Sequence, residues 1–157
     1  EKGVKAGTEM GAAVVGFGMA AELAKQELNE RIEHVKALRD ALEKQLLQFH
    51  VVTVFSGQVE RLPNTVQFGV KGFDGETLLM ELDRRGFAVS SGSACTSGKA
   101  EPSHVLKAMA VPNELAISAI RVSLGRANTM EEVARFIEAL KQIIEIKNSP
   151  VMMAANL

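Results

Sequence analysis

The sequence predicts an α/β fold: a few short strands in one sheet covered by helices, with a long helix leading in from the N-terminal side. Three observations carry this. First, Leu28, Ile32, Val35, Leu38, Leu42 and Leu46 recur at helical spacing, with Glu30, Arg31, Glu33, Lys36, Arg39, Glu43 and Lys44 between them. That period describes an amphipathic helix of about five turns. Second, the texture changes after Phe49 to short apolar runs separated by Gly, Pro, Asn and Ser, which read as strands and turns. Third, Thr129 and Glu132 have the spacing of a capping box, a hydroxyl at the N-cap and a glutamate three residues on.

The elements follow in order. Residues 9–25 are rich in Ala, Met and Leu, and Ala13, Val14, Phe17, Ala21 and Ala24 can share one helical stripe. Within them, Gly16-Phe17-Gly18-Met19-Ala20-Ala21 fits G-x-G-x-x-A. A dinucleotide fingerprint needs a preceding strand and an acidic residue on a second strand about 20 positions later. Ala12–Val15 is only four residues, and the place of the second strand is taken by the long helix. Glycines that let an apolar helix pack closely explain the pattern better.

Beyond the long helix, Val51–Phe55 reads as a strand closed by Ser56-Gly57, and Thr65–Val70 as a second strand after Pro63-Asn64. Asp74 is placed to cap a short helix carrying Leu78, Leu79 and Leu82, with Gly86 ending it. Phe87–Val89 reads as a short strand. Two short helical patches, Ser103–Met109 and Asn113–Ser118, precede a last strand at Ile120–Leu124. The final helix turns Val133, Phe136, Ile137, Leu140, Ile143 and Ile144 inward, and the tail after Pro150 is expected to fray.

Composition excludes several classes of function. The 157 residues are 46% hydrophobic and 24% charged, so bulk disorder is ruled out. Eighteen Lys and Arg against 19 Asp and Glu leave a net charge of −1. No global basic field exists to hold nucleic acid or an anionic membrane. With neither Trp nor Tyr, stacking platforms for single strands are scarce. The uncharged stretch Met10–Ala21 is 12 residues, too short to span a bilayer. A single cysteine excludes an intrachain disulfide and argues against a Cys-based metal site. The expected setting is reducing and cytoplasmic.

Cys95 lies in Ser90-Ser91-Gly92-Ser93-Ala94-Cys95-Thr96-Ser97-Gly98. A free cysteine is often a small buried hydrophobe, but these neighbours are polar and set outside any apolar period. Nothing acidic lies within five residues, and Lys99 is four away, which favours the thiolate. Two bracketing glycines suit a loop that carries its nucleophile between positions. No His is near in sequence: His104 falls in the first turn of a helix, His34 on the polar face of the long helix, and His50 at an element end. Arg121 alternates with Ile120 and Val122, and is either part of a solvated strand face or a guanidinium fork offered to a carboxylate. Thr8 stands where an N-cap would, a place where hydroxyls and free amides bind phosphate.

Together these segments resemble the group I cysteine desulfurases, pyridoxal-phosphate (PLP) enzymes that supply sulfur for iron–sulfur clusters. The resemblance rests on the Cys95 loop with Glu101-Pro102-Ser103-His104-Val105-Leu106, on Ile120-Arg121-Val122-Ser123-Leu124-Gly125-Arg126, on Arg61-Leu62-Pro63-Asn64-Thr65-Val66, and on Gly7-Thr8-Glu9 with Val15-Gly16-Phe17-Gly18. It departs from the family at Lys5, where Arg is usual, and at Met10, where Asn is usual.

The resemblance implies the small domain of a fold-type I PLP enzyme acting on L-cysteine. It implies that Cys95 takes the substrate sulfur as a persulfide while alanine leaves, that Arg121 binds the substrate carboxylate, and that Thr8 reaches the PLP phosphate of the partner subunit in a homodimer. An iron–sulfur scaffold or another acceptor protein would then receive the sulfur. The family lysine that holds PLP follows a histidine, whereas His34, His50 and His104 are each followed by Val. The expectation is therefore a C-terminal part whose PLP-binding domain precedes residue 1, inactive alone. In it, residues 1–27 form an inter-domain or dimer-facing helical segment, 28–148 the small domain with the Cys loop at 91–104, and 149–157 the tail. The alternative is a non-catalytic module of the same fold, kept for dimerisation or scaffold docking.

Overall fold

A computed structural model describes residues 10–91 and 102–147 of the chain. Two helices come first, α1 (Gly11–Gln26) and α2 (Leu28–Leu46), meeting at Glu27. Strands β1 (Val52–Val54) and β2 (Thr65–Val70) follow, then α3 (Gly75–Asp83), β3 (Ser90–Ser91), α4 (His104–Ala108), α5 (Asn113–Ile117), β4 (Ile120–Ser123) and α6 (Met130–Lys147). The four strands form one antiparallel sheet in the order β1-β2-β4-β3. The expected architecture, short strands in one sheet under helices, is the one observed.

The helical period of α2 buries Val35, Leu38, Leu42 and Leu46, while Leu28 and Ile32, at its start, stay exposed. From α6 come Val133, Phe136, Leu140, Ile143 and Ile144, with Ala139 in addition and Ile137 only partly covered. These side chains pack with those of α2 on one face of the sheet, over Val66, Phe68, Val70, Ile120 and Val122. Phe136 anchors the layer, meeting Phe87 edge-on at 5.4 Å and Phe68 at 6.4 Å between ring centroids. Burying each large side chain of this kind contributes about 1.5–3 kcal/mol.

Both expected helix starts are made. Asp74 accepts from the backbone N–H groups of Glu76 and Thr77. Thr129 Oγ1 accepts from Glu132 N, and Glu132 Oε2 accepts in return from Thr129 N. The end of α3 is closed by Gly86, whose φ of +84° suits a residue without a Cβ. There Gly86 N–H donates to the Asp83 carbonyl and Phe87 N–H to that of Leu82, a Schellman arrangement.

Three expectations need correction. The strand read at Phe87–Val89 pairs only from Ser90. Phe87 N–H is committed to the helix cap, and Phe87–Val89 line a cavity of about 230 Å³ together with residues of β4 and α6. The strand read at Val51–Phe55 is shorter, Val52–Val54. The stripe on α1 finds no partner among the described residues. None of its side chains is buried, Phe17 is 77% exposed, and nothing lies within 4 Å of where a Cβ on Gly16 or Gly18 would stand. The close packing expected of these glycines is thus not made within the described chain. Helix α1 runs through Ala12–Val15, which removes the strand a dinucleotide site needs.

The second face of the sheet is partly roofed by α4 and α5, through Phe55, Leu106, Ala116 and Ala119. Ser118 is fully buried there, accepting from Val70 N–H and donating to the Leu115 carbonyl, each at 3.0 Å. Gly69 permits this closeness, since a Cβ on it would stand 2.7 Å from the Leu115 carbonyl oxygen.

Gly69→Ala should therefore push α5 off β2 and cost about 1–3 kcal/mol of stability, read as a lower urea midpoint. The capping box gives a pH test. Hydrogen bonds from the Asn128 side chain and the Thr129 backbone hold Glu132 below its ordinary value of 4.5. A carboxylate depressed in the folded state adds stability that is present above 4.5 and is lost as the pH falls through its lower folded value. Glu132→Gln should flatten that acid-side decline in an unfolding series from neutral pH down to roughly pH 3.

Candidate functional site

The sheet has two unlike faces because β4 alternates. Ile120 and Val122 are buried against the helices, so Arg121 and Ser123 must turn the other way, where both are exposed. Register then sets their neighbours. Arg121 lies opposite Gln67 in β2 and opposite Ser90 in β3, so these three residues form one row across three strands. Thr65 and Ser123 form the adjacent pair. The row continues past Gln67 toward Phe55, whose N–H donates to the Gln67 carbonyl and whose ring lies under α4 and α5. The result is a polar shelf with an apolar wall along one side.

Arg121 Nη2 points to Ser90 Oγ at 3.5 Å. Among the described residues it has no carboxylate partner, whereas Arg31, Arg39, Arg61, Arg84, Arg85 and Arg126 all face one within 4.0 Å. A guanidinium presents five donors in a planar fork. With one edge resting on Ser90, Arg121 has donors left to hold a carboxylate from outside the described chain.

Other candidates resolve into structural parts. Arg61 is largely buried, donating to the Thr65 carbonyl at 2.7 Å and pairing with Glu43 of α2. It ties the entrance of β2 to the long helix, a role that its place in the Arg61–Val66 segment did not announce. His34 sits on the polar face of α2, as expected, with Nε2 at 3.0 Å from the Asn128 carbonyl. His104 opens α4 and is exposed. Arg126 lies 3.8 Å from Glu27, so it faces the α1–α2 junction. Arg31, with the nearby Arg126, holds the Glu27 carboxyl below the usual range. Among the described residues no group of three or more His, Cys, Asp and Glu could hold a metal ion, and no helix is long and apolar enough to cross a membrane.

Cys95 and Thr8, expected as the nucleophile and the phosphate contact, lie outside the described residues, as does the tail after Pro150. The chain leaves β3 at Ser91, next to Arg121 in the sheet, four residues before Cys95, and is described again from Pro102. Gln67 and the pairing partner Ser90 were not singled out by sequence reading. The weak alternation Thr65-Val66-Gln67-Phe68 puts Gln67 on the polar face, but only register shows that it stands beside Arg121.

Comparison with known proteins gives a consistent picture. The Aminotransferase class-V family model matches residues 1–136. A cysteine desulfurase of Gluconacetobacter diazotrophicus is 46% identical over 145 residues, covering 92% of this chain and 36% of the relative. Cysteine desulfurase NifS of Azotobacter vinelandii is 43% identical over the same shares. Among solved structures, a NifS-like protein from Rickettsia africae superposes with a TM-score of 0.78 at 37% identity, over 92% of this chain and 37% of the other. The chain thus spans about a third of the length of the relatives it matches.

The Arg61 tie can be tested without any activity. Arg61→Met removes a charged donor from both the Glu43 carboxylate and the Thr65 carbonyl, and should cost about 1.5–3 kcal/mol in denaturant unfolding. Glu43→Gln, which leaves the Thr65 bond in place, should cost less.

Proposed function

The chain belongs to the class-V aminotransferase family, and from that membership we propose that it is the sulfur-accepting, C-terminal part of a PLP-dependent cysteine desulfurase. The observation that carries this is Arg121: exposed, central in the sheet, and without a carboxylate partner among the described residues. It suits the carboxylate of L-cysteine. Four residues of extended chain reach roughly 14 Å, so a cysteine four residues beyond Ser91 is within range of a substrate held at Arg121.

The described residues do not by themselves form a seat for PLP. Thr8 is the residue of this chain proposed to reach the cofactor phosphate, in the partner subunit of a homodimer. The amine that anchors the cofactor has to come from outside this chain's His-Val pairs at 34, 50 and 104. When bound, PLP supplies an electron sink next to the substrate carbon.

This chain's share of the chemistry is then as follows. Arg121 grips the carboxylate and fixes the direction of the thiol-bearing carbon. The Cys95 thiolate attacks the substrate sulfur, so an S–S bond forms as the C–S bond breaks. The electron pair of the C–S bond stays with carbon, which takes a proton and leaves as L-alanine. Sulfur remains on Cys95 as a persulfide for transfer to an iron–sulfur scaffold or another acceptor protein. The proposed location is the cytoplasm.

The alternative, a docking or dimerisation module without chemistry, draws on the exposed apolar face of α1. A catalytic subunit needs such a surface equally, so α1 favours neither reading, whereas Arg121 favours the enzyme.

The test is sulfide release from L-cysteine with PLP and a reductant, using this chain combined with a PLP-lysine segment. Sulfide should appear in the mixture but not from the chain alone. Cys95→Ala should abolish it, and Arg121→Ala should lower kcat/KM by about 10²-fold or more, as expected for losing a charged clamp. Absence of sulfide from folded, associated pieces would move the docking module ahead.

A further inference from the structure

The row across the sheet carries one inference beyond the reading of Arg121, and it rests on that reading. We propose that Ser90 is a positioning residue that holds the Arg121 fork, and that Gln67 on the opposite flank completes the carboxylate site.

The geometry supplies the reasons. Arg121 sits in β4 with Ser90 directly opposite on one side and Gln67 directly opposite on the other. Directly opposed residues in an antiparallel pair have their Cβ atoms roughly 4.5–5.5 Å apart. Both flanking side chains can therefore reach the space around the guanidinium. Ser90 Oγ already stands 3.5 Å from Arg121 Nη2. Gln67 makes no side-chain hydrogen bond to another described residue, although its main-chain carbonyl is engaged by Phe55 N–H. Its amide is thus available on the inner side of the shelf, beside the wall made by α4 and α5.

The chemistry fits a carboxylate with an α-amino group. A free arginine side chain loses rotamer entropy when it clamps an anion. Resting one N–H on Ser90 removes part of that loss before the substrate arrives. The Gln67 carboxamide offers an N–H to the second carboxylate oxygen and a carbonyl to a guanidinium or ammonium proton. Neither group touches the bond that breaks. Their effect is equal in the ground and transition states, so it falls on KM and leaves kcat nearly unchanged.

The experiment uses the complete desulfurase carrying this chain, with steady-state kinetics on L-cysteine and inhibition by L-alanine, which keeps the carboxylate and lacks sulfur. Ser90→Ala should raise KM and the L-alanine inhibition constant together by roughly threefold to tenfold, the range of one ordinary net hydrogen bond, with kcat within about twofold. Ser90→Thr, which keeps the hydroxyl, should restore the parental values. Gln67→Leu should shift the same two constants in the same direction. On an Arg121→Ala background, Ser90→Ala should add little, because the group it positions is gone.

If Ser90→Ala and Gln67→Leu leave both constants unchanged while Arg121→Ala raises them, the flanking role is wrong and the desulfurase reading stands. A fall in kcat at unchanged KM would also overturn the flanking role. If Arg121→Ala itself leaves both constants unchanged, the carboxylate reading of Arg121 fails and takes this proposal with it.

Discussion

Everything on the exposed shelf depends on the alternation of four residues in β4. Ile120 and Val122 have to enter the layer beneath α2 and α6, and this obliges Arg121 and Ser123 to face away from it. A strand has a period of two, so a slip of one residue would carry the guanidinium into the apolar layer and two aliphatic side chains into water. The core therefore acts as the device that orients the arginine. β4 is flanked on both sides, by β2 and β3, which leaves little freedom in its register.

The two faces are held by different kinds of contact. The helix-covered face is a continuous apolar layer and supplies most of the stability. Among the described residues the other face is roofed only at one end, where Ser118 ties α5 to Val70 and Gly69 clears the space for it. Burying that hydroxyl costs little because it both donates and accepts. The roof stops at Phe55, and the polar shelf begins beside it. Arg61 performs the corresponding service at the entrance to β2, joining Thr65 to Glu43 of the long helix. Two polar ties, one at each end of β2, thus fix the strand that lies between the wall and Arg121.

Much of this was legible in the sequence where a local rule decides the outcome. The period of Val35, Leu38, Leu42 and Leu46 marks α2, and Thr129 with Glu132 marks the start of α6, because burial and capping act within a few residues. The outward turn of Arg121 followed from its neighbours. What was not legible comes from pairings distant in the chain. Ser118 meets Val70 across 48 positions and Arg61 meets Glu43 across 18. Gln67 and Ser90 come to flank Arg121 only through strand order. The strand read at Phe87–Val89 failed because the Schellman cap claims Phe87 first, a competition that alternation of apolar residues does not express.

Helix α1 has a thermodynamic consequence. It has 16 residues, two internal glycines and no buried side chain among the described residues, so its own hydrogen bonds and propensity are all that hold it helical. Helices of this length are marginal in water, and each internal glycine costs about 1 kcal/mol relative to alanine. A surface that covers Phe17 and Val15 would stabilise the coil-to-helix transition and the contact as one event. For α1, secondary structure then becomes a function of the concentration of whatever carries that surface, and amide exchange along Gly11–Gln26 doubles as a binding isotherm.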